Sequence, residues 1–264
     1  MKPTQNVVLF VVDALRPDIL QQTLTPTIDR LIAAGAHTLA ARTVMPSVTL
    51  PCHASLFLSV PPEQHGVVSN LWSPQADRFP GLIDVVHRAG GRTVSFYNWE
   101  PLRDLSRPGS LDVSYFLNNC SDATGEGDRT LAELAADWFA HNEATLAFVY
   151  LGNVDAAGHS YGYPSETYRQ AIRNADECIA IVLDALPADC AVLLTSDHGG
   201  HDHGHGCDCD EDMTIPLVLR APGLIPAGLT LAQDVSIMDV APTAAALLGL
   251  EPPAEWVGRP LIAW

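Results

Sequence analysis

The sequence predicts an α/β fold in which a central, mainly parallel β-sheet is covered by helices on both faces. Short, nearly continuous apolar segments recur along the chain, and segments with helical spacing separate them. Strands that are apolar on both sides are typical of parallel sheets buried between two helical layers. A chain of 264 residues, 47% of them hydrophobic, can bury a sizeable core. Residues 1–264 are therefore interpreted as one α/β domain.

Five apolar segments are the candidate strands, because their length and composition suit strands buried in a sheet. They are Val7–Val12, Thr93–Tyr97, Leu146–Leu151, Ala191–Thr195 and Ile215–Arg220. The first ends at Asp13 without a small-residue cleavage site, so it is interpreted as a strand and not as a secretory signal. No segment approaches the ~20 consecutive apolar residues of a membrane span. A cytoplasmic location without membrane attachment is predicted.

Five further segments have the spacing of amphipathic helices. They are Thr25–Ala34, Pro80–Ala89, Thr130–Asn142, Ser165–Leu186 and Asp239–Leu248. Thr25 is expected to cap the first of these helices, because Pro26 then occupies the first helical position, and Gly35 is expected to end it.

The chain is strongly acidic, with 14 basic and 31 acidic residues and a formal net charge of −17. Nucleic-acid binding relies on basic patches that meet phosphates, so stable binding of nucleic acid is not expected. A solvated acidic surface explains most of the excess. Carboxylates gathered around dications would be neutralised locally, which lets an anionic substrate approach. The six cysteines are expected to be reduced.

Acidic side chains follow three of the candidate strands. Asp13 comes directly after the first strand, Asp155 lies four residues beyond the third, and Asp197 follows the fourth together with His198. In open α/β sheets, ligands bind beyond the carboxyl ends of the strands. We therefore expect these groups to converge on one edge of the sheet.

The spacing of these groups suits metal binding. Asp155 and His159 stand four positions apart, so one helical turn could present both to a single cation. Asp197 and His198 are adjacent and could serve two neighbouring ions, or one ion if the turn is sharp. Oxygen and nitrogen ligands suit zinc, manganese or iron. A capping aspartate and a surface histidine are the alternative interpretation of such a pair.

The loop 196–210 is rich in histidine and glycine, with four histidines among its fifteen residues. Such density is typical of metal binding, although a flexible polar loop that binds metal adventitiously is the alternative. His201, His203, Cys207 and Cys209 include nitrogen and sulfur ligands at close spacing, so a third, structural metal is left open.

Residues 45–55 are expected to form a turn that leads into a short helix. Thr49 at the helix start is either a simple N-cap or a nucleophile beside a bound phosphate, because helix N-termini favour anions. Ser47 and Ser55 offer hydroxyls that are equally available in the sequence.

Taken in order, these motifs resemble the alkaline phosphatase superfamily, and most closely its nucleotide pyrophosphatase/phosphodiesterase branch. The resemblance spans nearly the whole chain from Val7 onward. The matching segments are Val11–Asp18, Thr49–His53, Pro61–Val67, Asp155–His159, Ser196–Gly199, His205–Gly206 and Met213–Pro216. It implies an alkaline-phosphatase-like core without a large cap domain, and a metal-dependent hydrolase that acts on small phosphoesters.

The resemblance also implies the ligands of two cations, zinc in the first instance, with manganese or iron as substitutes. One set is Asp13, Asp197 and His198 with the Thr49 oxygen, and the other is Asp155, His159 and His205. His205 is preferred to its neighbours because His205-Gly206 precedes the Met213–Pro216 segment as the last histidine of the family does. Thr49 would form a phosphothreonine, which metal-bound hydroxide would then hydrolyse.

This sequence departs from the family pattern at Cys52. In eukaryotic members of the branch an asparagine stands there and contacts phosphate, so Cys52 becomes a candidate substrate-binding residue. Sulfatase activity is not expected, because Thr49–His53 lacks the cysteine-or-serine, proline, arginine order needed for a formylglycine. The alternatives left open are a phosphomonoesterase or phosphonate hydrolase, a phosphomutase, and a non-catalytic metal-binding protein. The natural substrate and the oligomeric state are not predicted.

Overall fold

The computed structural model describes residues 4–119, 124–231 and 234–262. Its centre is an eight-stranded sheet with the order β4-β3-β5-β1-β6-β7-β2-β8. Strand β7 runs antiparallel to both of its neighbours, and the other pairs are parallel. The α/β prediction with a mainly parallel sheet is therefore confirmed. The strands are β1 (Val7–Val12), β2 (Ala36–Arg42), β3 (Thr93–Tyr97), β4 (Val113–Phe116), β5 (Leu146–Leu151), β6 (Ala191–Thr195), β7 (Thr214–Arg220) and β8 (Leu229–Thr230).

Helices cover both faces of this sheet, and within the described ranges no large cap domain stands over its edge. None of the helices in those ranges combines the length and the apolar character that crossing a bilayer requires. They are α1 (Pro17–Leu20), α2 (Pro26–Ala34), α3 (Thr49–Leu58), α4 (Pro62–His65), α5 (Leu82–Arg88), α6 (Glu126–Phe139), α7 (Asn153–Tyr161), α8 (Glu166–Asp184), α9 (Asp210–Met213) and α10 (Val240–Leu247). Short 3₁₀ helices span Pro74–Arg78, Glu100–Leu105 and Ile237–Asp239.

Strand β1 shows why the central strands have continuous apolar sequences. Its alternate residues Val8, Phe10 and Val12 pack in one core with α2, α6 and α8. The intervening residues pack in a second core with α3, α5 and α10. Successive strand residues point to opposite faces, and here each face meets a helical layer, so all six residues of β1 are buried.

The register of the central strands brings their carboxyl ends to one edge. Val12 of β1 is level with Leu151 of β5, and Val11 is level with Thr195 of β6. Because β7 runs in the opposite direction, it begins at this same edge with Thr214. The segments that follow β1, β5 and β6, and the one that precedes β7, therefore meet there.

Three strands were not predicted from the sequence. Strand β4 is half-exposed at the edge, and β8 has only two residues, so neither shows a continuous apolar run. Strand β2 mixes small, polar and charged residues and carries an irregularity in its pairing with β7. The other five strands match their predicted bounds, except that β7 begins one residue earlier, at Thr214.

The start of α2 lies at the predicted N-cap residue, but the capping hydrogen bonds come from another helix. Thr25 occupies the N-cap position, but its side chain makes no capping hydrogen bond. The carboxylate of Asp176 on α8 instead accepts from the backbone N–H groups of Thr27 and Ile28. A carboxylate from another helix satisfies the same donors that a local side chain would, and it favours the helix dipole as well.

Candidate metal centre

The turn after β1 is locked by contacts from two other elements. Ala14 adopts a positive φ of 56°, which is uncommon for a residue with a side chain. Its N–H donates to Asp197 Oδ1 at 3.2 Å, and its carbonyl accepts from the Tyr168 hydroxyl at 2.6 Å. The Leu15 N–H donates to Ser196 Oγ at 2.8 Å. These bonds fix the position of Asp13 at the end of β1.

The first cluster consists of Asp13, Asp197 and His198, and all three are buried. His198 Nε2 lies 3.4 Å from Asp13 Oδ1 and 3.3 Å from Asp197 Oδ2. Asp197 Oδ1 is occupied by the N–H groups of Ala14 and His198. Asp13 Oδ1 and Asp197 Oδ2 have no hydrogen-bond partner in the described part of the chain. Two acceptor oxygens and one ring nitrogen thus face a common point.

Thr49 is the hydroxyl that borders this cluster. Its Oγ1 lies 3.2 Å from His198 Nε2, at the first residue of α3. The two alternative hydroxyls are occupied elsewhere. Ser47 Oγ donates to the carbonyl of Cys207 at 3.0 Å, and Ser55 Oγ is bonded to His65 Nε2 at 2.9 Å.

The second cluster adjoins the first. Asp155 and His159 lie one turn apart on α7, and His159 Nε2 is 3.4 Å from Asp155 Oδ1. His205 Nε2 lies 3.7 Å from the same oxygen. The ring of His205 stacks on that of His198 with 3.9 Å between their centroids, so the two clusters are in contact. All six predicted carboxylate and imidazole ligands, with Thr49, are therefore together at one edge of the sheet.

The three histidines present the same nitrogen to the centre. Each Nδ1 is bonded to a backbone carbonyl: His159 to that of His203, His198 to that of Gly199, and His205 to that of Ser47, at 2.8–2.9 Å. A carbonyl oxygen can only accept, so Nδ1 must be the donor. In the neutral ring Nε2 then carries the lone pair, which is the arrangement that metal-binding histidines use.

The electrostatics of the first cluster favour a cation. Burial, and then the charges of Asp197 and Asp155, hold the pKa of Asp13 well above its usual range. The pKa of Asp197 is raised to about 7, mainly by burial. Burial, and then the nearby His205, hold the pKa of His198 well below its usual range, so its ring is neutral. Among the described residues these carboxylates have histidines, and neither lysine nor arginine, as their ion-pair partners.

The chemistry of these donors fits divalent metal ions. Buried carboxylates that share a site are unfavourable when charged, unless a cation or a proton compensates them. The unpaired oxygens of Asp13 and Asp197 and the directed Nε2 atoms supply mixed oxygen and nitrogen ligands, which suit zinc, manganese or iron.

A sequence model of the type I phosphodiesterase/nucleotide pyrophosphatase family matches residues 7–214, which include every residue of both clusters. The chain belongs to this family. The branch that the motifs resemble is thereby confirmed.

Among curated members of this family, bovine (Bos taurus) ectonucleotide pyrophosphatase/phosphodiesterase family member 3 is 27% identical over 218 residues. The match covers 73% of this chain and 24% of that protein. The chain spans about a quarter to a half of the length of the curated relatives it matches.

Solved structures of the superfamily share the fold. Murine ectonucleotide pyrophosphatase/phosphodiesterase 5, an inactive threonine-to-alanine variant in complex with AMP, superimposes with a TM-score of 0.75 at 16% identity. It covers 94% of this chain and 96% of that one. A phosphonate monoester hydrolase from Agrobacterium radiobacter gives a TM-score of 0.75 at 19% identity, covering 98% of this chain and 76% of that one. At these identities the likeness concerns the fold alone.

Two tyrosines support the ligands of this phosphodiesterase-family site and were not predicted to do so. Tyr150 of β5 is wholly buried and its hydroxyl donates to Asp13 Oδ2. The Tyr163 hydroxyl donates to Asp155 Oδ1 at 2.7 Å. Its ring fits against Gly158 and Gly200, where an added Cβ would lie 2.0 and 2.6 Å from ring atoms. In the sequence, Tyr150 is one more apolar strand residue, and Tyr163 has no motif around it.

Two residues near the start of α3 have unequal access to the site. Cys52, predicted as a substrate contact, is wholly buried, and its thiol points at the carbonyls of Val44 and Pro46. This placement gives the prediction no support. Asn70 was not predicted. It is exposed, and its Oδ1 accepts from the Leu50 N–H at 3.0 Å, which places its amide beside the helix start. Asn70 lies three residues beyond the Pro61–Val67 segment, and that proximity was the available signal.

Proposed function

We propose that this protein hydrolyses phosphodiester or pyrophosphate bonds of small molecules, with Thr49 as the nucleophile and two divalent cations, zinc in the first instance. The observation that carries the proposal is the position of the Thr49 hydroxyl, 3.2 Å from His198 Nε2 at the border of the clustered carboxylates and imidazoles. Membership of the phosphodiesterase family supports the class of reaction.

In this proposal Asp13, Asp197 and His198 hold one cation together with Thr49 Oγ1. Asp155, His159 and His205 hold the other. Bound there, the cations would neutralise the carboxylates, lower the pKa of the hydroxyl and water bound to them, and stabilise the charge of the transition state.

The residues of the chain then have distinct tasks. Thr49 Oγ1 forms a bond to phosphorus and gives up its proton, while the bond from phosphorus to the leaving oxygen breaks and that oxygen takes up a proton, which gives a phosphothreonine. Water then attacks the same phosphorus, the bond from phosphorus to Thr49 Oγ1 breaks, and a proton from the water restores the Thr49 hydroxyl, so phosphate ester and water are consumed in equal amounts. The start of α3 favours the anionic substrate through its dipole, and the Asn70 amide can donate a hydrogen bond to a phosphate oxygen.

The substrate class is proposed as well, because the chain matches only a fraction of the length of its curated relatives. A nucleotide is the first candidate, since the murine family member was captured with AMP as an inactive threonine-to-alanine variant. The region above the sheet edge carries no large cap domain in the described ranges, which favours substrates of varied size.

The test compares three chromogenic substrates: p-nitrophenyl phosphate, bis-p-nitrophenyl phosphate and p-nitrophenyl phenylphosphonate. Each is assayed with the chelated enzyme and after zinc is restored. We expect the two diester-like substrates to be preferred, and chelation to stop all three reactions reversibly. A preference for the monoester would favour a phosphomonoesterase, and equal rates after thorough chelation would contradict the role of metal.

Thr49 is tested with a matched pair of variants. Thr49→Ala should lower kcat by roughly a thousandfold or more while the metal content persists, because the nucleophile is lost. Thr49→Ser keeps a hydroxyl at the same place and should retain measurable turnover. Unchanged turnover in Thr49→Ala would refute the proposal and favour a metal-binding protein. Free product in place of a phosphorylated isomer separates hydrolysis from a mutase reaction.

A further inference from the structure

A third group of metal-ligating side chains lies outside the two clusters described above. It consists of His201, Cys207, Cys209 and Asp212, all in the segment between β6 and β7. One ligand atom from each of the four lies within 4.8 Å of the other three. None of the four is used by the proposed reaction.

The distances in this group suit a tetrahedral metal ion. His201 Nδ1 lies 2.7 Å from Asp212 Oδ1 and 3.8 Å from Cys209 Sγ. Tetrahedral zinc has bonds of ~2.0 Å to nitrogen and oxygen and ~2.3 Å to sulfur, so its ligand atoms lie roughly 3–4 Å apart. The His201 nitrogen and the Asp212 oxygen, which are now joined by a hydrogen bond, would need to separate slightly to share a metal ion.

The backbone around Asp212 is already arranged for such a site. Asp212 is wholly buried, and its Oδ2 accepts from the N–H groups of Gly206 and Cys207 at 2.8 and 2.9 Å. Its other oxygen faces His201. The carbonyl of Asp212 accepts from Gly199 N at 2.8 Å, which ties the two ends of the segment together. One oxygen thus orients the carboxylate, and the other is left for a ligand bond.

We propose that His201, Cys207, Cys209 and Asp212 bind a third, structural metal ion, a thiophilic divalent cation for which zinc is the first choice. Two thiolates, one imidazole and one carboxylate complete a four-ligand site from groups that all bind tetrahedral zinc. This site is separate from the proposed reaction and does not depend on it.

The third site would hold the segment that presents His205. Ser47 lies two residues before Thr49. Its hydroxyl donates to the carbonyl of Cys207, and its backbone carbonyl accepts from His205 Nδ1. A metal ion bonded to Cys207 therefore fixes one end of a short chain of contacts that ends at the second cluster. Its expected effect on the reaction is indirect, through the position of His205.

Cobalt(II) distinguishes this site from the other two. Cobalt replaces zinc in tetrahedral sites, and cobalt bound to thiolate gives an intense charge-transfer band in the near ultraviolet. The proposed catalytic sites offer only oxygen and nitrogen ligands, so the band reports on the third site alone. Untagged, fully reduced and metal-free protein is titrated with cobalt chloride. We expect the band to saturate by three equivalents of cobalt per chain, because the two proposed catalytic sites also take up cobalt, and to reach the intensity of one thiolate-bound cobalt per chain.

The matched variants are Cys207→Ser with Cys209→Ser, and Asp208→Asn. The double variant should lose the band and bind one zinc fewer per chain by elemental analysis. Asp208 is an exposed carboxylate between the two cysteines and is not in the cluster, so its variant should keep both properties. Thr49→Ala should also keep the band, whatever happens to turnover.

The absence of a thiolate band from reduced wild-type protein at saturating cobalt would overturn the proposal. So would a band that persists in the double variant. The wild-type titration requires no substitution, so misfolding of a variant cannot obscure the answer.

Discussion

Replacing Tyr150 with phenylalanine tests whether the first cluster is a metal site in which a hydrogen bond from Tyr150 orients the Asp13 carboxylate. The change removes one hydroxyl from a fully buried ring and leaves the packing of that ring in place. Tyr150 donates to Asp13 Oδ2, which leaves Oδ1 facing His198. Burial, and then the charge of Asp13, hold the pKa of Tyr150 well above its usual range, so the hydroxyl keeps its proton and remains a donor.

The magnitude follows from the hydrogen bond that is lost. A hydrogen bond to a charged group is worth about 1.5–3 kcal/mol, and because this bond is present with and without metal, the corresponding 10- to 150-fold weaker binding of metal is roughly an upper bound. Loss of a partner behind a metal ligand typically costs about 10- to 100-fold, which agrees. We therefore expect Tyr150→Phe to raise the Kd for zinc at the first cluster by one to two orders of magnitude, and to lower kcat at limiting zinc.

The assay is competition for zinc with a chromophoric chelator, followed by turnover of bis-p-nitrophenyl phosphate at fixed free zinc. Tyr163→Phe is the matched comparison, because it removes the equivalent bond to Asp155 in the second cluster. The two variants should weaken different steps of the zinc-binding curve. If Tyr150→Phe leaves that curve unchanged within twofold, the idea that Asp13 is oriented for metal by this bond is wrong.

Three further predictions concern residues around the site. Burial lowers the pKa of His65 to about 4 from 6.5, so the unfolded chain takes up the proton first. The neutral ring contributes about 3 kcal/mol at most to the free energy of unfolding, a contribution that is present above pH 6.5 and lost as the pH falls towards 4. His65→Gln should make the unfolding free energy less dependent on pH across that interval. Parallel curves for the wild type and the variant would contradict this. Cys52→Ala should lower the unfolding free energy by about 1–2 kcal/mol in urea titrations and leave KM unchanged, whereas a severalfold rise in KM would restore its predicted contact with substrate. Gly158→Ala places a methyl group against the Tyr163 ring and should lower stability by about 1–3 kcal/mol; Gly204→Ala, with nothing within 4 Å, is the control, and equal melting temperatures would exclude the clash.

Much of the candidate metal centre could be predicted because its residues stand at strand ends. Asp13, Asp155 and Asp197 each follow an unbroken apolar run, and parallel strands deliver such positions to one edge of a sheet. The i, i+4 relation of Asp155 and His159 is local, so helical spacing is enough to pair them.

What could not be predicted depends on contacts between distant segments. Tyr150 resembles its apolar neighbours in β5 until the register places it behind Asp13. The N-terminus of α2 is capped by Asp176, which lies far along the chain, and not by the adjacent Thr25. Neither spacing nor composition carries that information, because both contacts are set by how α8 and β5 pack in the finished fold.

The reversed direction of β7 has a consequence for how this edge of the molecule can change. The chain leaves β6 and re-enters the sheet in β7 at the same side, so the connection needs no crossover helix. Its length is free of the geometry that constrains the parallel units, and residues can be gained or lost there without moving a strand. In the segment that carries His205, new substrate-facing structure can thus be added without disturbing the packing of the core.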